Sequence, residues 1–337
     1  MDLHCVETTD TDIAACYDET LLQDRVLRNM LKTEGRYLPA NASLLMKQSQ
    51  VNPRMVEIVA GWMMEVCEEQ ACQDEVFLLA MNYLYRFLMT TDIKKSQLQL
   101  LGAACMLMAS KLREPRPLST ETLVFYTDHS ITTAMLTSWE LLVLSKLKWD
   151  IVAIVPLDFL PHLLARLDLD DSVRLDLDMV KKHAKILIAL CAKGESAVTV
   201  ALSPETKSSR LESRRYNGSR RSVAECGFMH CYPSAVACAS VVSALCGLGW
   251  VTKYHQSQEG LLEKLAKMVD VPETELMQEL VTQIDRMVKD NFEGVVEDRK
   301  NVCDDEVTRS EQCTPPPGKM RDYKTATTPT DVHEVMF

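Results

Sequence analysis

Glycine and aromatic residues are scarce in this sequence. It contains 11 glycines in 337 residues, and aromatic side chains account for 6%. Strands favour aromatic and β-branched residues, whereas leucine, methionine and alanine, which are abundant here, favour helices. The hydrophobic fraction of 47% can supply real cores, and the length suits two modest domains. We therefore predict an all-α chain.

Several other features are missing as well. No apolar run reaches the roughly 18 residues of a membrane span, and the N-terminus lacks the charged-then-apolar pattern of a signal peptide. We therefore expect an intracellular protein without membrane contact. The net charge of −11 argues against a nucleic-acid footprint across the chain, although a local basic patch remains compatible with it.

The twelve cysteines do not form a recognisable metal site. The nearest approach is Cys226, His230 and Cys231, with Cys238 beyond, but no paired C-x-x-C units accompany them. Most cysteines lie in apolar runs, where a thiol behaves as a small hydrophobic group. No glycine-rich phosphate loop or nucleophile–base pattern is present either. We predict no metal, no cofactor and no enzymatic activity.

Two isolated charges stand out on apolar helices. Lys111 closes the helical pattern of Leu98–Leu112 before two prolines, and Glu140 is the one acid within Trp139–Leu144. They can be snorkelling surface charges, a structural ion pair, or a charged pair on a face that binds another protein. The residues alone leave these alternatives open.

Long, ordered runs of the sequence resemble D-type cyclins, from about Leu21 to Asn291 with one interruption. The runs that carry the resemblance are Trp62–Gln70, Leu79–Leu88, Leu98–Ala103, Ala109–Leu112, Tyr126–Asp128 and Lys146–Trp149. The resemblance implies two tandem five-helix cyclin-box bundles with an N-terminal helix and disordered termini. The expected divisions are a flexible arm over 1–20, a first box with its preceding helix over 21–152, a second box over 153–296 and a regulatory tail over 297–337.

In that family, the residues matching Lys111 and Glu140 contact the partner kinase. The resemblance therefore implies a regulatory subunit that activates cyclin-dependent kinase 4 or 6, directs it to retinoblastoma-family proteins and promotes the G1/S transition. It implies a protein of nucleus and cytoplasm, whose partners include Cip/Kip-type inhibitors and a ubiquitin ligase. The alternative is a cyclin-box adaptor in transcription without a kinase, although its DNA-binding relatives fit the acidic net charge poorly.

A stripe on the first box helix has two interpretations. Helical spacing of Met55, Ile58, Val59 and Trp62, continued by Val66, is typical of a core-facing stripe. In the family, the matching residues form a docking groove for Arg-x-Leu peptides, and the residue matching Glu65 faces the peptide arginine.

The sequence departs from the family beside this stripe. Val56 replaces an arginine and Tyr85 replaces an aspartate, and in the family these two charges are paired. Losing both leaves no unpaired buried charge, so the fold is not in question. The two substitutions do, however, leave the detailed shape of the groove in question.

Short motifs mark both ends of the chain. Leu3, Cys5 and Glu7 fit the L-x-C-x-E pattern with which D-type cyclins bind retinoblastoma-family pocket proteins, and alternation along an extended strand places the three side chains on one side. Near the other end, Thr328 lies in a Thr-Pro-Thr-Asp-Val run that matches the family's phosphorylation site for export and ubiquitin-dependent turnover.

A basic, serine-rich insertion over about 194–227 has no counterpart in the family. It has no apolar periodicity, so we interpret it as a solvated loop. Binding of an anion or an import receptor, and a misread exon boundary, are the alternatives.

Overall fold

The structure is a computed structural model, which describes residues 18–38, 48–167, 174–194, 228, 231–250, 257–269 and 275–290. All regular structure in these ranges is helical. The helices are α1 Asp24–Thr33, α2 Pro53–Glu69, α3 Asp74–Leu88, α4 Leu98–Arg113, α5 Thr120–Tyr126, α6 Thr133–Lys146, α7 Pro156–Arg166, α8 Arg174–Lys193, α9 Pro233–Gly247, α10 Gln258–Met268 and α11 over 275–290, with short 3-10 turns at Glu19–Leu22, Glu34–Tyr37 and Lys95–Gln97.

Helix α4 forms the centre of the first group of helices, α2 to α6. Every residue from Leu100 to Ser110 is buried, as expected for a helix that is apolar on all sides. It packs against α2, α3 and α6. Gly102 lets α2 approach closely, because a Cβ at this position would lie 3.0 Å from Val59 Cγ1 and 3.1 Å from Met63 Sδ.

Helix α9 has the same role in the second group. It is buried from Pro233 to Leu245 and packs against α7, α8 and α10. Ser243 on α9 donates a hydrogen bond through its hydroxyl to Asp285 on α11. Two helices that are apolar all round therefore each organise one group of neighbours.

Helix ends follow recognisable capping rules. The side chains of Asn52, Ser119 and Thr132 accept hydrogen bonds from backbone N–H groups in the first turns of α2, α5 and α6. Helix α2 is followed, two residues after its end, by a left-handed residue, Ala71, with φ of 49°. The N–H of Ala71 bonds to the Glu68 carbonyl, and the N–H of Cys72 bonds to the Cys67 carbonyl. These two hydrogen bonds form the Schellman pattern.

The N-terminal segment is not one continuous helix. Helix α1 spans only Asp24–Thr33, and a 3-10 turn, Glu34–Tyr37, follows it. This turn brings Glu34 to the N-terminus of α9, where its buried carboxylate accepts hydrogen bonds from the Ser234 N–H (2.9 Å) and hydroxyl (2.8 Å). The positive end of α9 accounts for an acid at this place. Glu34 is therefore positioned by the 3-10 turn that follows α1, and the apolar periodicity of the sequence does not indicate this position.

Candidate functional site

The two isolated charges meet. Lys111 in the last turn of α4 places its Nζ 2.6 Å from Oε1 of Glu140 on α6. The side chains are unequally exposed, at 49% for Lys111 and 13% for Glu140. The lysine therefore remains partly accessible to a partner, while the glutamate is mostly covered.

Exposed leucines flank this ion pair. Leu112 follows Lys111 on α4, and Leu141 and Leu142 follow Glu140 on α6, with Leu141 59% exposed. Helix α6 is apolar around most of its circumference, yet only Leu136, Val143 and Leu144 are buried. We call Lys111, Leu112, Glu140, Leu141 and Leu142 the ion-pair surface. Clustered exposed apolar side chains around one charged pair are typical of protein-binding surfaces.

The stripe on α2 does not face the core. Ile58 is 66% exposed, Met55, Val59 and Trp62 are half-buried, and Glu65 is exposed. The interpretation as core is therefore wrong for Ile58, whereas Val66, which continues the pattern, is buried. The core face of α2 consists of Val56, Ala60, Met63, Val66 and Cys67. Apolar residues occur on all sides of α2, so the pattern alone could not distinguish the buried stripe from the exposed one.

Trp62 is held in place by a neighbouring helix. Its indole Nε1 donates to the backbone carbonyl of Tyr126 at the end of α5, at 3.2 Å. The Val59 side chain packs against α4 at Gly102, where the two helices approach closely. Two of the four apolar side chains of the stripe, Val59 and Trp62, are thus held by contacts with other helices, and the exposed acid Glu65 follows the stripe on α2.

The two departures from the family pattern are accommodated by packing. Val56 is buried in the core face of α2. Tyr85 is half-buried near the end of α8, where a Cβ on Gly194 would come within 3.8 Å of its hydroxyl. Burial, with a smaller contribution from the negative charge of Glu57, raises the pKa of Tyr85 to about 12. The phenol therefore stays neutral, and no unpaired charge replaces the lost pair.

Arg86 lies in a network that the sequence did not reveal. Its guanidinium donates to the backbone carbonyl of Asp150 at 2.8 Å and lies over the ring of Tyr37, 5.3 Å from the centroid. Tyr37 in turn donates to the Asp150 carboxylate at 3.1 Å, and Arg36 pairs with the same carboxylate at 2.8 Å. This network fixes the N-terminal segment against α3 and the residues that follow α6. Its members are far apart in sequence and follow no periodic pattern.

Other predicted residues lie outside the described ranges. These are Leu3, Cys5 and Glu7, Thr328, and all of the basic insertion after Gly194. Among the residues that are described, no group of three or more His, Cys, Asp or Glu side chains is arranged to hold a metal ion. None of the described helices is long and apolar enough to cross a membrane.

The arrangement of helices is that of a cyclin. The family model for the cyclin N-terminal domain matches residues 25–152. Over 79% of this chain and 97% of the other, the fold is similar to a viral cyclin from herpesvirus saimiri, with a TM-score of 0.58 and 23% identity. The predicted all-α cyclin fold is confirmed.

Sequence relatives define the family more narrowly. Mouse G1/S-specific cyclin-D2 is 37% identical over 336 residues, which cover 99% of both chains. Zebrafish G1/S-specific cyclin-D1 is 50% identical over 56% of this chain and 64% of its own length, and human cyclin-D3 is 49% identical over 57% and 65%. The chain belongs to the D-type cyclin family.

Membership defines what kind of protein this is. It is a G1/S cyclin, a non-catalytic regulatory subunit of a cyclin-dependent kinase that promotes the G1/S transition. Family membership confirms the prediction of a non-catalytic kinase regulator, and it does not favour the alternative of a transcription adaptor.

Proposed function

We propose that this cyclin binds and activates cyclin-dependent kinase 4 or 6 through the ion-pair surface. The observation that carries the proposal is the contact between Lys111 and Glu140, set among exposed leucines on two adjoining helices. Apolar area supplies affinity, and the charged pair supplies orientation, because a partner must offer complementary groups to both charges.

Activation follows from selective binding. A protein kinase is active only when the ion pair between its β3 lysine and the glutamate of its αC helix is assembled. A rigid surface that fits αC in the active arrangement better than in the inactive one shifts the population toward the active kinase. The buried centre of α4, from Leu100 to Ser110, provides the rigid support directly beneath Lys111.

Reconstitution tests this function. The purified cyclin should co-elute with kinase 4 or 6 and stimulate phosphorylation of a retinoblastoma-family protein. A mammalian D-type cyclin serves as the positive control at the same concentration. If that cyclin assembles and activates the kinase while this chain does neither, the proposal is wrong.

We propose further that the α2 stripe is a docking groove for Arg-x-Leu peptides of substrates and Cip/Kip-type inhibitors. Met55, Ile58, Val59 and Trp62 offer accessible apolar area, and Glu65 offers an exposed carboxylate on the same helix. A carboxylate can accept two hydrogen bonds from a peptide arginine. Val56 adds no positive charge that would repel this arginine.

The terminal motifs support two further parts of the proposal. Leu3, Cys5 and Glu7 would bind a retinoblastoma-family pocket and so bring this substrate to the kinase. Thr328 would be phosphorylated by a proline-directed kinase, since Pro329 follows it. Phosphate adds about 1.5–2 negative charges for an export adaptor or a ubiquitin ligase to recognise. The protein would then be present in both the nucleus and the cytoplasm.

A further inference from the structure

We propose that Cys67 and Cys72, at the turn between α2 and α3, form a reversible disulfide when the protein meets a hydroperoxide. The backbone N–H of Cys72 bonds to the Cys67 carbonyl, and only four residues separate the two cysteines in the sequence. They therefore constitute a dithiol site of oxidative modification, distinct from the surfaces proposed for kinase and peptide binding.

The helix ending brings the two thiols together. In a Schellman motif, the N–H of the second residue past the cap bonds to a carbonyl five residues earlier, and a contact between the side chains at these two positions frequently accompanies this bond. Here the N–H of Cys72 bonds to the carbonyl of Cys67 at 2.9 Å, and Ala71 between them has the required left-handed backbone. The two positions that normally make an apolar contact are both cysteine.

Contacts to other helices hold the turn in place. Gln70 donates through its side-chain nitrogen to the Tyr126 hydroxyl at 2.8 Å, and this hydroxyl donates to Glu69 at 3.0 Å. On the other side, the N–H of Gln73 bonds to the carboxylate of Glu114 at the end of α4. These contacts with α4 and α5 hold the turn that carries both cysteines.

The two sulfurs are suited to different steps. Cys72 is half-buried and accessible, and a hydrogen bond from the Cys67 thiol lowers the pKa of Cys72, although burial and the negative charge of Glu114 oppose this. Cys67 is buried, and its pKa is raised by the same hydrogen bond and by burial. Cys72 is therefore the attacking thiolate, and Cys67 is the residue that resolves the intermediate.

The chemistry balances with a hydroperoxide as the oxidant. The Cys72 thiolate attacks one peroxide oxygen, breaks the O–O bond and becomes a sulfenic acid, and the released hydroxide or alkoxide takes up a proton. The Cys67 sulfur then attacks Cys72 Sγ, giving up its proton to the departing hydroxide, which leaves as water. The two thiols lose two electrons and the peroxide gains them. A dithiol reductant reverses the step.

Other described cysteines provide internal controls. Cys105, Cys191 and Cys238 are buried, and burial raises the pKa of each thiol. Cys246 is half-buried like Cys72, but burial and the negative charge of Asp285 raise its pKa to about 11. Peroxide should therefore reach the Cys67–Cys72 pair before any of these.

Mass spectrometry of the full-length protein tests the proposal. The chain is reduced, freed of reductant, treated with hydrogen peroxide, blocked with iodoacetamide and digested. Both cysteines lie within residues 55–86, which contain no internal lysine or arginine before Arg86, so trypsin leaves them in one peptide. We expect this peptide to lose two hydrogens and to escape alkylation. Cleavage at Glu68 or Glu69 should then leave its two halves linked until a dithiol reductant is added.

Two variants make the test decisive. Cys72→Ser should abolish the linked product and leave Cys67 open to alkylation. Cys67→Ala should instead leave Cys72 as a sulfenic acid that dimedone traps. The proposal is overturned if the wild-type pair stays unlinked, if Cys72 proceeds directly to sulfinic acid, or if Cys246 is oxidised first.

Discussion

Lys111 and Glu140 are 29 residues apart in the chain, yet Nζ and Oε1 lie 2.6 Å apart across α4 and α6. The pair is formed in the free cyclin, so a partner meets a charged group that already has a fixed orientation. Binding to a pre-organised group costs less side-chain entropy than ordering two free charges. The structural ion pair and the docking face, which the sequence left as alternatives, are therefore compatible.

Glu65 should determine the affinity of the α2 groove for an arginine-containing peptide. Glu65→Gln keeps the size of the side chain but removes the charge that would face the arginine. We expect an Arg-x-Leu peptide to bind about tenfold more weakly, a loss of about 1.4 kcal/mol, in a fluorescence-polarisation titration. Glu68→Gln is the matched control, since Glu68 is exposed on the same helix. An equal loss in both variants would point to general electrostatics instead of a specific contact.

The N-terminal motif should act independently of the box. Replacing Leu3, Cys5 and Glu7 together with alanine should weaken binding to a retinoblastoma-family pocket, measured by calorimetric titration. Kinase assembly should be unchanged, because none of these residues belongs to the ion-pair surface. Equal pocket affinity for the variant and the wild type would reduce the motif to coincidence.

Thr328 should control the lifetime of the protein. Thr328→Ala removes the phosphate acceptor, so we expect a longer half-life in a cycloheximide chase and retention in the nucleus, with kinase activation in vitro unchanged. Thr314→Ala is the control at another Thr-Pro site outside the family motif, and it should have less effect. Identical decay of Thr328→Ala and the wild type would remove the turnover proposal.

Ala71 should be a site where glycine stabilises the protein. Its φ of 49° is a conformation that glycine adopts without the steric cost that a Cβ brings. We expect Ala71→Gly to raise the free energy of unfolding by about 1 kcal/mol in urea denaturation under reducing conditions. Ala165→Gly, at an exposed position in α7, should lower it instead. A lower stability for Ala71→Gly would contradict the strain argument.

The positions of the helices were largely predictable, because residues within one turn of each helix end indicate where the helix begins and stops. Ser119 caps α5 through its side chain, and the predicted helix over Leu98–Leu112 differs from α4 by one residue at its end. Such signals depend on neighbours within one turn. The predicted divisions at 20, 152 and 296 have no comparable local signal, and they remain predictions.

What the sequence did not reveal depends on distant contacts. Glu34 looks like an ordinary surface acid, and only the fold places it at the N-terminus of α9 beside Ser234. The two interpretations of the α2 stripe could not be separated for a different reason: Ile58 and Met63 are equally apolar in the pattern, but only Met63 of these two faces α4. Lys111 and Glu140 could be singled out as unusual charges, whereas their direct contact required the structure.

The kinase affinity of Lys111→Glu tests whether the ion-pair surface is the site that binds the kinase. The substitution places two carboxylates side by side within the ion-pair surface, so we expect binding to kinase 4 or 6 to be lost in a titration. The melting temperature should stay near the wild-type value, since a partly exposed ion pair contributes at most about 1 kcal/mol. Lys181→Glu, an exposed lysine on α8, makes the same charge change elsewhere and should bind normally. Full kinase binding and activation by Lys111→Glu would show that the kinase does not bind through the ion-pair surface.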